Sequence, residues 1–127
     1  MARPRSPHPT PAELEILQVI WDGGPSTVRD VMTTLNRTHR RAYTSVMSLM
    51  NVMADKGLLT RKPKGRAFLY DARAPREKTL SQLIGDLVNR AFQGSAGAMV
   101  CRLIEDTDLS DKELDEIRKT IARQKDV

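Results

Sequence analysis

The fold is decided by residues 42–57, which read AYTSVMSLMNVMADKG. Val46, Leu49, Met50 and Met53 stand at helical spacing and predict one apolar face for a core, and the closing glycine suits the left-handed residue that follows a last turn. The stretch carries only two charges, and both lie at its end. Because surface helices usually face water with charged side chains, the polar side of this helix is expected to face something else.

Signals on either side predict two helices before this stretch and a hairpin after it. Residues 10–13 (TPAE) combine an N-cap, a proline at the first helical position and a glutamate placed for a capping box. Residues 26–27 (ST) can cap a second helix. Residues 58–62 and 67–70 read as strands joined by a four-residue link that contains glycine. The order helix, helix, helix, hairpin predicts a winged helix-turn-helix.

The side of the third helix opposite its apolar stripe predicts a surface that reads DNA. Hydroxyl groups can serve most bases, and an asparagine can pair bidentately with adenine. The residues expected to lie in the groove are Thr44, Ser45, Met47, Ser48 and Asn51. Basic residues flank this face and are expected to bind phosphate. They are Arg40 and Arg41 before the helix, and Arg61, Lys62, Lys64 and Arg66 in the hairpin.

Charge divides the 127-residue chain near residue 75. Residues 1–75 carry 12 Lys or Arg and 6 Asp or Glu, a net of +6, whereas residues 76–127 carry 9 and 10, a net of −1. The basic part is expected to meet an anionic partner. We therefore predict a winged helix DNA-binding domain over residues 1–75 and a helical dimerisation domain over 76–127, in a mainly α fold with one small β-hairpin.

Composition limits the other classes of protein. A single cysteine, Cys101, excludes an internal disulfide framework and a cysteine-based metal cluster, and neither a metal site nor a cofactor is expected. Residues 1–11 contain four prolines and two arginines but no apolar core, so no signal peptide is predicted. No uncharged apolar run approaches the roughly 18 residues needed to cross a bilayer, so membrane insertion is not expected and the location is predicted to be cytoplasmic.

Narrow apolar stripes in residues 76–127 predict three helices that need a partner. Short helices of this kind rarely form a core alone. The residues expected at or beside a dimer interface are Leu80, Leu83, Ile84, Leu87, Val88, Val100, Leu103, Ile104, Leu114, Ile117 and Ile121. A symmetric dimer would place two recognition helices about one DNA turn apart. The alternative is that these helices fold back on the N-terminal domain of the same chain.

Three segments together cover nearly the whole chain and carry a family resemblance. They are LEILQVIWDGGPSTVRDV, AYTSVMSLMNVMADKGLLTRK with GRAFLYDA, and FQGSAGAMVCRLIEDTDLSDKELDEI. The sequence resembles the penicillinase-repressor family of winged-helix transcriptional regulators, which includes the methicillin-resistance repressor. The resemblance implies a homodimer that binds a palindromic operator and represses β-lactam resistance genes.

The same resemblance implies a route of induction. In staphylococcal members, a membrane-bound zinc metalloprotease sensor starts induction and the repressor is cut in the short helix of its dimerisation domain. Aligned on the acidic Asp-Leu-Ser that follows, the candidate cleavage bond here is Arg102-Leu103, where the family pattern is Asn-Phe. Copper-responsive relatives carry cysteine pairs near the C-terminus, so the lone Cys101 disfavours copper sensing.

Two other classes of function, a protein-interaction module and an enzyme, are the alternatives to a repressor. A winged helix can be a protein-interaction module, and a repressor of this type can serve a different regulon. An enzyme is not expected, because His8 and His39 lack a nucleophile, base or paired carboxylate motif, and no catalytic residue is predicted.

Overall fold

The computed structural model describes residues 8–125 and consists of six helices and one hairpin within that range. The elements are α1 (Pro11–Gly23), α2 (Val28–Leu35), α3 (Tyr43–Lys56), β1 (Leu59–Lys64), β2 (Ala67–Ala72), α4 (Arg76–Ala91), α5 (Ala96–Asp106) and α6 (Asp111–Lys125). Their order confirms the predicted fold class. No signal peptide is predicted in the tail of residues 1–11. Residues 1–7 of this tail lie outside the described residues.

The chain forms two compact units, one ending at Leu83 and the other beginning at Ile84. The division falls inside α4, whereas the domain boundary predicted from charge lies just before this helix. That boundary, at residue 75, stays a prediction. Within residues 8–125, no helix is both long enough and apolar enough to span a bilayer.

Side-chain caps start the first two helices as the sequence predicts. The Thr10 hydroxyl accepts the Glu13 N–H at 3.2 Å, and the Thr10 N–H donates to the Glu13 carboxylate at 2.8 Å. Thr27 and Asp30 repeat this reciprocal box at α2. Hydrogen bonds from the Thr27 backbone and hydroxyl hold the pKa of Asp30 below its usual range. These local bonds satisfy N–H groups that the first turns would otherwise leave unpaired.

The three N-terminal helices and the hairpin enclose one apolar core. Val46, Met50 and Met53 of α3 are buried as predicted, and Leu49 packs partly buried beside them. Gly57 ends the helix with φ of 82°. The buried core comprises Ile16, Leu17, Ile20, Val28, Val31, Leu35, Val46, Met50, Met53, Leu59 and Tyr70. One face of α3 is therefore fixed inward, which leaves the opposite face for solvent or a partner.

The hairpin is tighter than the four-residue link predicted from the sequence. Its antiparallel register runs from Leu59 opposite Ala72 to Lys64 opposite Ala67, so the turn contains only Gly65 and Arg66. Gly65 has φ of 61°, which allows a two-residue turn. Pro63 is accommodated in β1 because a two-stranded sheet leaves N–H positions on its edges unpaired.

A buried ion pair joins the start of α1 to the end of α3. The Lys56 ammonium lies 2.8 Å from the Glu13 carboxylate, and the two side chains are only 11% and 2% exposed. Burial alone would raise the pKa of Glu13. The hydrogen bonds from Lys56 and Thr10 and the charge of Lys56 outweigh that effect and lower the pKa below its ordinary value. The carboxylate therefore stays ionised inside the protein because its partners compensate for lost hydration.

Removing the cation should reveal how much the unit depends on this pair. Lys56→Met leaves an unpaired buried carboxylate and should lower the free energy of unfolding by about 3 kcal/mol. Lys62→Met, the same change at an exposed position of the same unit, should shift it by less than about 0.5 kcal/mol. Urea unfolding at pH 7 measures both values, and equal losses would contradict a special role for the ion pair.

Candidate nucleic-acid interface

The outward face of α3 is exposed and, up to Asp55 in its last turn, uncharged. Thr44, Ser45, Met47 and Ser48 are all exposed, on the side away from the buried Val46, Met50 and Met53. Within residues 8–125, the hydroxyls of these three Ser and Thr residues make no hydrogen bond to another protein group. They are therefore available to an external donor or acceptor.

Asn51 differs from these neighbours because its amide oxygen is already occupied. The residue is half-buried, and its Oδ1 accepts hydrogen bonds from Arg61 Nη1 at 2.7 Å and from the Tyr70 hydroxyl at 2.9 Å. Asn51 thus lies on the predicted face of α3, but its amide oxygen is hydrogen-bonded to two residues of the hairpin.

The two arginines that precede α3 lie in different environments. Arg40 is exposed. The Arg41 guanidinium instead turns inward, forms an ion pair with Glu15 of α1 and donates to the carbonyl oxygens of Leu35 and His39. Arg41 therefore braces the loop between α2 and α3, while the Arg40 side chain remains accessible to a phosphate.

The basic residues of the hairpin divide between its two faces. Alternate residues of a strand point to opposite sides, so Arg61 shares a face with the buried Leu59, and Lys62 and Lys64 lie on the other. Arg61 stacks 5.1 Å from the centre of the Phe68 ring. Arg66 occupies the turn, and all four basic side chains are exposed. The hairpin thus presents cations on both faces and at its tip.

Three residues that shape this surface were not predicted from the sequence. Tyr70 is buried in the core and still reaches Asn51 through its hydroxyl. Arg29 of α2 lies 6.0 Å from the centre of the Tyr43 ring at the start of α3. The hairpin register, which sets Tyr70 directly opposite Arg61, is the signal that could have revealed the first contact. The contact between Arg29 and Tyr43 joins two helices and has no local sequence signal.

The residues predicted at a dimer interface range from buried to fully accessible. Val88 is buried, and Leu80, Leu83, Leu114 and Ile117 are half-buried. The exposed members are Ile84, Leu87, Val100, Leu103, Ile104 and Ile121. Side chains of α5 and α6 line a mainly apolar groove of about 530 Å³ in the second unit.

The candidate cleavage bond lies inside a helix. Arg102 and Leu103 are both exposed near the middle of α5, and Arg102 forms an ion pair with Asp106 one turn later at 3.9 Å.

Among residues 8–125, no group of three or more His, Cys, Asp or Glu side chains is arranged to hold a metal ion.

The three-helix core, the exposed uncharged face of α3 and the basic hairpin define a winged helix-turn-helix DNA-binding protein. The solved DNA-binding domain of the repressor BlaI has a similar fold, with a TM-score of 0.51 and 24% identity over 58% of this chain and 90% of that one. The family model for the penicillinase repressor matches residues 9–123. The chain belongs to the penicillinase repressor family.

Two relatives align with this chain along almost their full length. The penicillinase repressor of Bacillus licheniformis is 24% identical over 119 residues, which cover 94% of this chain and 93% of the relative. The methicillin resistance regulatory protein MecI of Staphylococcus aureus (strain N315) is 20% identical over 113 residues, which cover 89% and 92%. The family consists of transcriptional repressors, so the chain is a DNA-binding repressor and not an enzyme.

Substitutions on the α3 face should change sequence preference. We propose that Thr44 and Ser48 contact bases, so Thr44→Ala or Ser48→Ala should cost about 1–3 kcal/mol on the duplex most enriched from a randomised pool. The loss on random DNA should be much smaller. Fluorescence anisotropy with both duplexes measures the difference, and equal losses would show that these hydroxyls do not read bases.

Substitutions in the hairpin should instead affect all DNA alike. We propose that Lys64 and Arg66 contact phosphates, so their joint change to Ala should flatten the salt dependence of binding by roughly one unit of slope per lost contact. Lys112→Ala with Lys119→Ala removes the same charge from α6 and should leave the slope unchanged. An unaltered slope in the hairpin variant would rule out backbone contact by these side chains.

Proposed function

We propose that the chain is a homodimeric repressor that binds a palindromic operator and controls β-lactam resistance genes. The names of two relatives, a penicillinase repressor and a methicillin resistance regulatory protein, support this choice of regulon. Both relatives align over about nine-tenths of the chain, so the support extends to the C-terminal helices as well as the winged helix.

The exposed apolar side chains of the second unit are the observation that supports a dimer most directly. Ile84 is 53% exposed and Leu87 is 46% exposed on α4, and α5 and α6 contribute the groove of about 530 Å³. Within the described part of this unit, Val88 is the one buried apolar core residue. Burying such apolar surface away from water is favourable. A second copy of the chain presents the same surface, so two copies can bury it together.

Dimerisation is also the reason for proposing a palindromic operator. A two-fold axis relates the two α3 helices, so each would meet the same half-site in opposite orientation. Linking two weak binding domains raises the effective concentration of the second domain once the first is bound. Loss of the dimer would therefore release the operator without any change in the winged helix.

Proteolysis is one proposed route to that loss. The Arg102-Leu103 bond lies within a helix of 11 residues that has no buried side chain in the described chain. Proteases prefer exposed, locally unfolded backbone, and a short helix with little packing opens readily. Cleavage there would separate α6 and the end of α5 from the rest of the chain. A membrane-bound zinc metalloprotease sensor is the proposed agent.

Binding to the region upstream of its own gene tests the repressor proposal. A gel shift with that duplex should persist in excess unrelated DNA, and sedimentation should give a dimer. Deleting the gene should raise transcription of neighbouring β-lactam resistance genes. Weak binding that unrelated DNA abolishes would instead favour a protein-interaction module, and unaltered resistance genes would favour a different regulon.

A charge introduced into the apolar surface should separate the copies. Leu87→Glu would bury an unpaired carboxylate between the protomers and should weaken the dimer by on the order of 3 kcal/mol or more. Asn89→Glu introduces the same side chain on another face of α4 and should remain dimeric. Sedimentation and operator binding test both variants together. A Leu87→Glu protein that stays dimeric and binds at wild-type strength would contradict the proposed interface.

A further inference from the structure

Asn51, Arg61 and Tyr70 meet where α3 contacts the hairpin. Asn51 Oδ1 accepts from Arg61 Nη1 at 2.7 Å and from the Tyr70 hydroxyl at 2.9 Å. A guanidinium group only donates hydrogen bonds, so the amide must turn its oxygen toward Arg61. A carbonyl oxygen has two lone pairs, and here both are used. Asn51 therefore has donors to offer an external ligand but no free acceptor.

This arrangement conflicts with reading adenine. Bidentate recognition needs the amide to donate to N7 and to accept from the N6 amino group of the same base. We infer that Asn51 is a positioning residue, which acts on DNA by holding Arg61 and does not read adenine itself. This inference rests on the proposed DNA-binding role of α3 and the hairpin.

Arg61 is held from a second side as well. Its guanidinium lies 5.1 Å from the centre of the Phe68 ring, on the same face of the hairpin. A guanidinium carries five donors, and Asn51 uses one of them, so several remain for phosphate oxygens. An arginine restrained before binding loses less conformational freedom when it meets a phosphate. Asn51 and Phe68 together provide that restraint.

Tyr70 connects this cluster to the core. It lies directly opposite Arg61 in the hairpin register, and its ring is buried. Its backbone exchanges two hydrogen bonds with Ser26, at 2.8 and 2.9 Å, in the turn before α2. The position of Arg61 is thereby set by α3, by the hairpin and by the start of the helix-turn-helix motif.

A double-mutant cycle tests whether Asn51 acts through Arg61. Arg61→Ala should weaken binding to any duplex about tenfold, the size expected for one charge-assisted contact, and Asn51→Ala about threefold. The double variant should bind like Arg61→Ala, because no arginine remains to be positioned. Losses that multiply to about thirtyfold would overturn the inference. The cycle can be measured by anisotropy on one fixed duplex.

Selection from randomised duplexes supplies an independent readout. Asn51→Ala should enrich the same sequence as the wild type, whereas the matched control Ser48→Ala should lose preference at one base pair of each half-site. A lost adenine preference in Asn51→Ala would overturn the inference. If wild type enriches no sequence, the repressor proposal fails, and the cycle on a fixed duplex still decides the role of Asn51.

A second variant, Asn51→Asp, keeps the inference testable if Asn51→Ala does not fold. Thermal melting identifies any variant that no longer unfolds cooperatively. Asn51→Asp keeps an oxygen that accepts from Arg61 and Tyr70 but has no N–H to offer a base. Its added negative charge should weaken binding to every duplex, and the enriched sequence should stay that of the wild type. A changed base preference in this variant would also overturn the inference.

Discussion

The buried ion pair between Glu13 and Lys56 fixes the last turn of α3 against the first turn of α1. A carboxylate this deeply buried is tolerated only with its cation in contact, so the last turn of α3 cannot leave the first turn of α1 without a large loss of free energy. Two residues further along α1, Glu15 pairs with Arg41, just before α3 begins. One short segment of α1 thus restrains both ends of the helix that faces outward.

This arrangement explains how α3 can dispense with charge on its outer face before the exposed Asp55 of its last turn. The charged residues that fix it lie at its ends and point toward α1, which leaves Thr44 and Ser48 free for close approach. The hairpin is restrained separately, through the backbone of Tyr70 at Ser26 and through its hydroxyl at Asn51. Helix and hairpin are therefore preorganised as one surface, so little ordering remains to oppose binding.

The sequence was sufficient to predict those features of the fold that depend on neighbouring residues of the chain. The capping box at Thr10, the cap that residues 26–27 provide for α2, the α3 stripe and the glycine at 57 are short-range features, and all were predicted. The hairpin turn was predicted two residues too long because strand pairing extends to Lys64 and Ala67. The inward turn of Arg41 and the bonds of Asn51 were missed, since their partners come from distant segments. Composition alone could not distinguish an arginine that braces a loop from one that is free to meet phosphate.

The exposed apolar side chains of α4, α5 and α6 have a consequence for heat stability. A core that closes only on association is stabilised by mass action, so the melting temperature of the proposed dimer unit would rise with protein concentration. The winged helix encloses its own core and would melt at a temperature independent of concentration. At low cellular copy number the C-terminal half would be the first part to open. The amount of repressor in the cell would then set its resistance to heat as well as its occupancy of DNA.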